Sequence, residues 1–471
     1  MTCSLRRQSM WNVAEESNMI KINKKKFFLA VSVALAAILS MLLAVVFLGN
    51  ELVQAKTNSY EDLRTFSQAL ELIKSEYVEE PEAEEIIHGA IRGMLTSLDA
   101  HSSFMSKRAY KEMNLDIRGE FEGVGIQISI RDSQLMIIAP IEDTPADRAG
   151  LAAGDKIMKI DDAWTKDMTI DEAVDGMRGR RGTKVRLLIQ REGWDAPKEF
   201  PIIRGVIKVK SVKSRMLEGD IGYIKITQFQ GKTSPEMEKA FRKLSAQGMK
   251  KLVLDLRNNP GGILDASVDI SSMFLPKDKL VVYLQGRDKA KRKDYLSTGQ
   301  MFFRDEPVVI LVNAGSASAS EIVAGALQDS KRALIVGTQS FGKGSVQTVF
   351  PLEGGVGMRL TTAKYYTPRG RSIQNVGITP DIMVKLPTVK DPKEGDSVHV
   401  VVREKDLKRH LKNDTIKGKK KKKKKGAAEE TFRMEVIPKN DKDDVQLQKA
   451  ISLLKTGDVH KYIAAAGKKK K

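Results

Sequence analysis

The sequence predicts a multidomain protein of mixed α/β class, and three observations carry that prediction. At 471 residues the chain exceeds one ordinary domain, and length alone suggests about three. Between residues 206 and 386 short apolar runs alternate with helix-like stretches, the pattern of a layered α/β core. Ahead of it lie a helical periodicity from Tyr60 to Arg118 and a glycine-punctuated series of strands over residues 119–205. With 41% hydrophobic and 30% charged residues, the composition is that of a folded chain.

The first element is an uncharged, almost wholly apolar run, Phe27 to Leu48, long enough to cross a bilayer as a helix. Lys24, Lys25 and Lys26 precede it, with Arg6 and Arg7 further upstream, and Glu51 follows. This asymmetry predicts a cytoplasmic segment at 1–26, a membrane segment at 27–49 and export of the remainder. The length of the run favours an uncleaved signal anchor, although Val53-Gln54-Ala55 leaves cleavage after Ala55 open. Cys3, the single cysteine, lies before the run. The exported part therefore has no thiol nucleophile, no Cys-ligated zinc and no disulfide framework. A stray thiol is a liability in an oxidising space, so its absence agrees with the bacterial periplasm or cell surface.

The net charge of +20 arises from 80 Lys and Arg against 60 Asp and Glu. Much of the excess sits in the runs Lys419–Lys425 and Lys468–Lys471, which read as a solvated tail, with a weak tether to anionic lipid or cell wall as the alternative. No aromatic-interleaved basic motif accompanies them, so a nucleic-acid partner is not expected.

Residues 56–118 form the predicted helical region. Leu63, Phe66, Leu70, Ile73 and Tyr77 recur at three- and four-residue steps, and Pro81 ends that helix. Ile86, Ile87, Ala90, Ile91 and Met94 begin another, and Leu98 to Met105 reads as a loop. His101 in that loop, beside Asp99 and Ser102, reads as a capping or packing residue.

Over residues 119–205, Gly123-Val124-Gly125 runs into an alternating strand that starts at Ile126. Leu135–Ala139 is a second strand, Pro145–Leu151 a short helix, Ile170–Met177 a longer one and Lys184–Gln190 a closing strand. The segments P-A-x-x-A-G-L at Pro145 and G-D-x-I at Gly154 resemble a PDZ domain. Taken alone, the two glycines mark only a tight turn. The resemblance implies that a peptide adds to the strand after Gly125, with its carboxylate on the amides of Gly123-Val124-Gly125.

In residues 206–386, Ile221–Phe229, Lys251–Leu256, Val308–Val312 and Ala333–Gly337 read as strands. Ser234–Ser245, Ile263–Phe274 and Ser318–Gln328 read as helices. None of the five histidines falls in this region, and neither does the cysteine. A Ser-His-Asp arrangement inside it is therefore impossible, and a catalytic serine would need a lysine whose pKa burial has lowered. The turn Asn313–Glu321 places small residues and serines between a buried strand and an apolar helix. A nucleophile there would stand beside free helix N–H groups, yet Ser318-Ala319-Ser320-Glu321 also fits a simple capping box. Gln339–Gln347 sets Lys343 between Gly342 and Gly344; the spacing is not that of a phosphate-binding loop, and an exposed turn lysine is the plain alternative. Asp255–Gly262 lies at a strand's carboxyl end, where α/β sheets build sites, and its glycines equally suit a strand-to-helix turn. Past residue 387 the chain turns polar and basic, with one amphipathic helix at Val445–Leu454.

Three motifs together, D-L-R-x-N-P-G-G, G-S-A-S-A-S-E and F-G-K-G-S-V-Q, resemble the carboxyl-terminal processing, or tail-specific, proteases. That resemblance implies a PDZ domain inserted before a crotonase-like α/β serine protease core at residues 206–386, with a tail at 387–471. It implies Ser318 as nucleophile, Lys343 as general base and Gln347 as the residue that orients the lysine. It further implies an oxyanion hole from Ala319 with Gly261 or Gly262, Asp329 within the catalytic group, and Arg178 coupling peptide capture to activation. Substrates would be proteins with apolar C-termini, captured and then cleaved nearby, with no metal or cofactor. The N-terminal helices and the C-terminal helix would join a homo-oligomer, and an adaptor protein is a possible partner. The alternative from another class is a membrane-anchored PDZ scaffold that does not cut.

Overall fold

The computed structural model describes residues 24–131, 134–141, 143–386, 397–400, 403–415, 434–438 and 440–469. The lysine run 419–425 and residues 1–23 lie outside this set. The chain divides between residues 88 and 89 into two compact units.

In the first unit a helix runs from Lys24 to Glu76; a second helix, Ala83–Leu98, begins after the break around Pro81 and continues past the division at residue 88. Glu84 and Glu85 sit in the first turn of the second helix, where carboxylates meet the positive end of the helix dipole. Leu63, Phe66 and Ile73, the expected apolar stripe, are exposed. Among the described residues no helix is long and apolar enough to cross a membrane. The expected membrane run lies on the first half of the long helix, and about half of its side chains are outside the described set.

Among the described residues, the second unit has three larger sheets and two two-stranded ones. The central one orders its strands Val212–Met216, Ile221–Ile226, Lys251–Asp255, Val308–Val312, Leu334–Gly337 and Ile382–Met383. Its first pair is antiparallel and the rest are parallel. Thr233–Ala246, Leu264–Ser272 and Ala319–Asp329 cover one face, where Phe241, Phe274, Ile310 and Val323 share one buried cluster. The helix Val445–Thr456 covers the other, with Leu447, Ala450 and Leu454 against Val253, Val309 and Leu311. Burial on both faces explains why Val308–Val312 reads as an unbroken apolar run. The Val445–Thr456 helix thus has its apolar face buried within its own chain, and this docking was not foreseen from sequence.

A second sheet, also unforeseen, joins Ser103–Met105, Gly357–Tyr366, Leu280–Gly286 and Arg292–Leu296, with Ser345–Pro351 paired to Gly357–Tyr366. The third sheet carries Ile126–Arg131, Gln134–Pro140, Lys156–Ile160, Lys184–Gln190 and Lys198–Ile203 in that order, so Ile126–Arg131 is an edge. The helix Ile170–Met177 packs on this sheet through Ala173 and Met177, and a complete Thr169/Glu172 capping box starts it. Two short strands, Glu120–Gly123 and Gly205–Lys208, pair antiparallel where the chain enters and leaves this domain.

Candidate active site

The strand Val308–Val312 delivers the chain into the turn that holds the serine run. Ser316 Oγ accepts the Asn313 N–H at 2.9 Å and donates to the Leu256 carbonyl at 2.8 Å. Ser320 Oγ donates to the Asn259 carbonyl at 2.9 Å. Both serines are fully buried, whereas Ser318 is partly exposed at the start of the Ala319–Asp329 helix. The turn is strained at that residue: Ser318 has φ 54° and ψ −112°, a region L-residues seldom occupy. Its N–H donates to Glu321 Oε2 at 2.8 Å, and its carbonyl accepts the Glu321 N–H at 2.9 Å.

The lysine loop meets this turn through the same carboxylate. Glu321 Oε2 also accepts the Lys343 N–H at 3.0 Å, while Oε1 accepts Gly342 N–H at 2.7 Å and Ser340 Oγ–H at 2.6 Å. The two flanking glycines are needed for space. A Cβ on Gly344 would lie 2.5 Å from the Gln374 nitrogen, and Gly342 adopts φ +98° against Asn375–Gly377. Tyr365, on the neighbouring strand, donates its hydroxyl to the Lys343 carbonyl and its N–H to the Gly344 carbonyl. With the backbone pinned, the side chain is held in a largely desolvated place. Burial pulls the Lys343 ammonium below the ordinary lysine range and the charge of Arg359 adds to this, while Glu404, Glu321 and Asp99 pull it back. No hydrogen bond or ion pair among the described residues involves Lys343 Nζ. Burial pushes the Glu321 carboxyl up to about 7 in spite of its four donors.

The third motif closes the site. Gly261 stands directly against the serine turn: a Cβ there would lie 2.7 Å from Ser318 Cβ and 2.9 Å from the Ala319 nitrogen. Gly262 passes as close to Phe229, whose carbonyl would be 2.0 Å from an added Cβ. Asn259 organises the turn, with its amide donating to the Ile226 carbonyl and its Oδ1 accepting the Gly261 N–H at 2.9 Å. The Gly261 amide is therefore already engaged. The amides of Gly262 and Ala319 make no hydrogen bond among the described residues, and they are the donors left for a developing negative charge.

The structure brings Ser318, Ala319, Lys343, Gly261 and Gly262 into one neighbourhood; Gln347 and Asp329 differ from expectation. Gln347 donates from Nε2 to Ser345 Oγ at 3.0 Å and Thr361 Oγ1 at 3.3 Å, and no hydrogen bond joins it to Lys343. Asp329 ends the Ala319–Asp329 helix, about 16 Å along the axis from its start at 1.5 Å per residue. There it accepts from Arg371 at 2.5 Å and from the Arg369 N–H at 3.1 Å, holding the loop that follows Tyr366. Sequence reasoning assigned Glu321 to a capping box alone, and it missed Glu404 altogether. Glu404 is fully buried, accepts from His101 Nε2 at 2.8 Å and from Gln374 Nε2 at 2.8 Å, and donates its N–H to the Phe341 carbonyl. The cap spacing could have flagged Glu321. Nothing in the sequence relates Glu404 to residue 101.

A separate groove lies in the third sheet's domain. Gly123, Val124, Gly125, Ile126 and Arg178 all line one cavity of about 140 Å³, together with Phe121, Ile128, Val174 and Met177. Its floor is apolar, its wall is the free edge Ile126–Arg131, and the Val124 and Gly125 amides make no hydrogen bond among the described residues. Gly125 has φ +86° and packs so tightly on Thr144 that any Cβ would lie 2.4 Å from the threonine Cβ. Unpaired amides, a free strand edge and an apolar pocket are what an extended peptide with a terminal carboxylate requires.

Residues 220–384 match the model of peptidase family S41, residues 136–191 a PDZ domain and residues 48–109 the N-terminal domain of the activating protease CtpB. A carboxy-terminal-processing protease of Bartonella bacilliformis is 42% identical over 93% of this chain and 97% of its own length. The carboxy-terminal processing protease CtpA of Bacillus subtilis is 34% identical over 83% of this chain and 85% of its own. Among solved structures, the photosystem II D1 C-terminal processing protease is 29% identical, with a TM-score of 0.41 over 68% of this chain and 92% of that one. A largely complete match to a relative at such identity, with the serine turn, the buried lysine and the peptide groove all present, places the chain in peptidase family S41 as a serine-type peptidase that carries a PDZ domain.

Proposed function

We propose that this peptidase captures the apolar C-termini of other proteins in its PDZ groove and cleaves those proteins near that end, with Ser318 as nucleophile and Lys343 as base. The observation that carries the reading is the contrast within the serine run: the hydroxyls of Ser316 and Ser320 are buried and engaged, and Ser318 is the one that faces the lysine loop and Gly261 from a strained turn. Neutral Lys343 takes the proton from Ser318 Oγ as the oxygen attacks the peptide carbonyl. The oxyanion accepts the amides of Ala319 and Gly262, with Gly261 supplying room for the approach. The new ammonium of Lys343 returns its proton to the leaving amine, and water, deprotonated by the same lysine, releases the acyl group. In the cell, the run 27–49 anchors the chain and exposes residues 56–386 outside the cytoplasm, as the lysines before it and the absence of later cysteines suggest.

The test uses the full chain in mild detergent with reduced, carboxymethylated lactalbumin extended by a C-terminal Val-Ala-Ala. Products are read by mass spectrometry for the wild type, Ser318→Ala and Lys343→Ala. Cleavage by the wild type should fall at least about a thousandfold in both variants. Cleavage that survives in either variant refutes the assignment.

A further inference from the structure

Among the described residues, Glu321 is the one carboxylate that touches both halves of the proposed dyad. It is 1% exposed, and its two oxygens divide four donors between them. Oε2 alone spans the two reactive segments, accepting the backbone N–H of Ser318 at 2.8 Å and that of Lys343 at 3.0 Å. Oε1 takes Gly342 N–H and the Ser340 hydroxyl, and Ser340 Oγ in turn accepts the Ile378 N–H at 2.6 Å. A helix cap needs only the first of these four contacts. The other three reach across from the Ala319–Asp329 helix to a loop some twenty residues further on, which a cap does not explain.

We propose that Glu321 is a positioning residue, whose single carboxylate holds the serine turn and the lysine loop in register and sets the charge that Lys343 meets. The proposal rests on the reading that Ser318 and Lys343 cut the chain.

Two consequences follow from the geometry. Replacing the carboxylate by an amide turns one acceptor oxygen into a donor facing donors, so either the Ser318–Lys343 pair or the Gly342–Ser340 pair loses its partner. Ionised Glu321 also favours the charged form of Lys343, so removing that charge frees the amine at lower pH. The other charged groups that act on the amine remain in place: Arg359 on the strand Gly357–Tyr366, Glu404 on its short turn with His101 beside it, and Asp99, while the Tyr365 hydroxyl stays on the Lys343 carbonyl. A side chain that merely packs would lower activity without moving the pH at which Lys343 loses its proton.

The experiment measures kcat and KM against pH for the full chain on the same Val-Ala-Ala substrate. In Glu321→Gln, kcat should fall about ten- to a hundredfold, KM should stay within about twofold, and the rising limb of kcat should move to lower pH. Glu321→Asp keeps the charge, so its limb should stay at the wild-type pH while its amplitude falls. Ser340→Ala removes one donor and leaves the carboxylate; its kcat should fall severalfold with KM unchanged, and it carries the test should Glu321→Gln fail to give a cooperative melt. Wild-type kinetics in Glu321→Gln, or a lower kcat with an unmoved limb, overturns the positioning role and leaves the function intact. Cleavage that persists in Ser318→Ala overturns the function itself, and this inference with it.

Discussion

At the scale of single residues, the family resemblance points to Ser318 within a run of three serines as the proposed nucleophile, and hydrogen bonding sets the other two apart from it. Ser316 and Ser320 donate to Leu256 and Asn259, residues some sixty positions upstream, and such partners are invisible in a linear motif. Glu321 shows the same limit from the other side: the capping-box spacing is legible, and the second set of donors is not. Its burial has a thermodynamic consequence that can be measured. The folded-state pKa of about 7 lies above the ordinary 4.5, so the folded protein binds more protons than the unfolded chain between those values. The associated stability is fully present below the unfolded pKa and is lost as pH rises through 7, about 3 kcal/mol in all at 1.4 kcal/mol per unit. Urea midpoints at pH 5 and pH 8 should therefore fall more for the wild type than for Glu321→Gln. Equal falls would show that Glu321 titrates normally in the fold. The direction matters for function, because the same ionisation that costs stability supplies the acceptor for Ser318 and Lys343. The site gains its working form in the pH range where the fold is under greater strain.

At the scale of elements, the parallel strands were legible because burial on both faces leaves them continuously apolar: Lys251–Asp255, Val308–Val312 and Leu334–Gly337 all appear within a residue or two of their predicted bounds. The antiparallel sheet was not. Arg292–Leu296 and Gly357–Tyr366 mix charges with aromatics on strands that keep much of their surface in solvent, so no apolar run announces them. The docking of the Val445–Thr456 helix was equally hidden, since its anchor is polar. Arg257, 1% exposed, forks onto Asp255 and Asp444, with Asp444 Oδ2 at 2.7 Å and Gln446 Oε1 at 3.1 Å. Asp444 also caps the helix by accepting the Gln446 and Leu447 amides. Arg257 precedes the Asn258–Gly262 turn, so this clamp ties the Val445–Thr456 helix to the turn that carries Gly261 and Gly262. Asp444→Ala strips the cap and leaves the buried guanidinium half-paired, and it should cost about 3–5 kcal/mol in thermal unfolding. Asp444→Asn, which keeps a neutral acceptor, should cost less. A loss below about 1 kcal/mol for the alanine variant would mean that Asp255 alone satisfies Arg257.

At the scale of the molecule, the groove proposed for capture and the site proposed for cutting occupy different parts of the fold. The PDZ domain is linked to the core through the paired strands Glu120–Gly123 and Gly205–Lys208. Around that ribbon lie the ion pairs Arg108–Asp175, Lys111–Glu122 and Lys232–Glu120, each with at least one largely exposed partner. Exposed pairs contribute about 0–1 kcal/mol each and weaken with salt, so these three hold the domain only weakly. Peptide binding in the groove can then be altered without disturbing Ser318 or Lys343. Val174 lines the groove from the helix Ile170–Met177 and is only half-buried, so an acidic side chain fits there without entering the domain core. Val174→Asp places a negative charge and a polar wall where an apolar, carboxylate-ended peptide must lie. KM for the Val-Ala-Ala substrate should rise at least about tenfold, an affinity loss near 1.4 kcal/mol, with the melting profile unchanged. Amidating the substrate's terminal carboxylate should raise the wild-type KM in the same way, and it should add little in Val174→Asp, because both changes remove one binding event. If the two effects instead multiply, or if amidation leaves the wild type unaffected, the chain end is not what the groove reads, and the peptidase selects its substrates elsewhere.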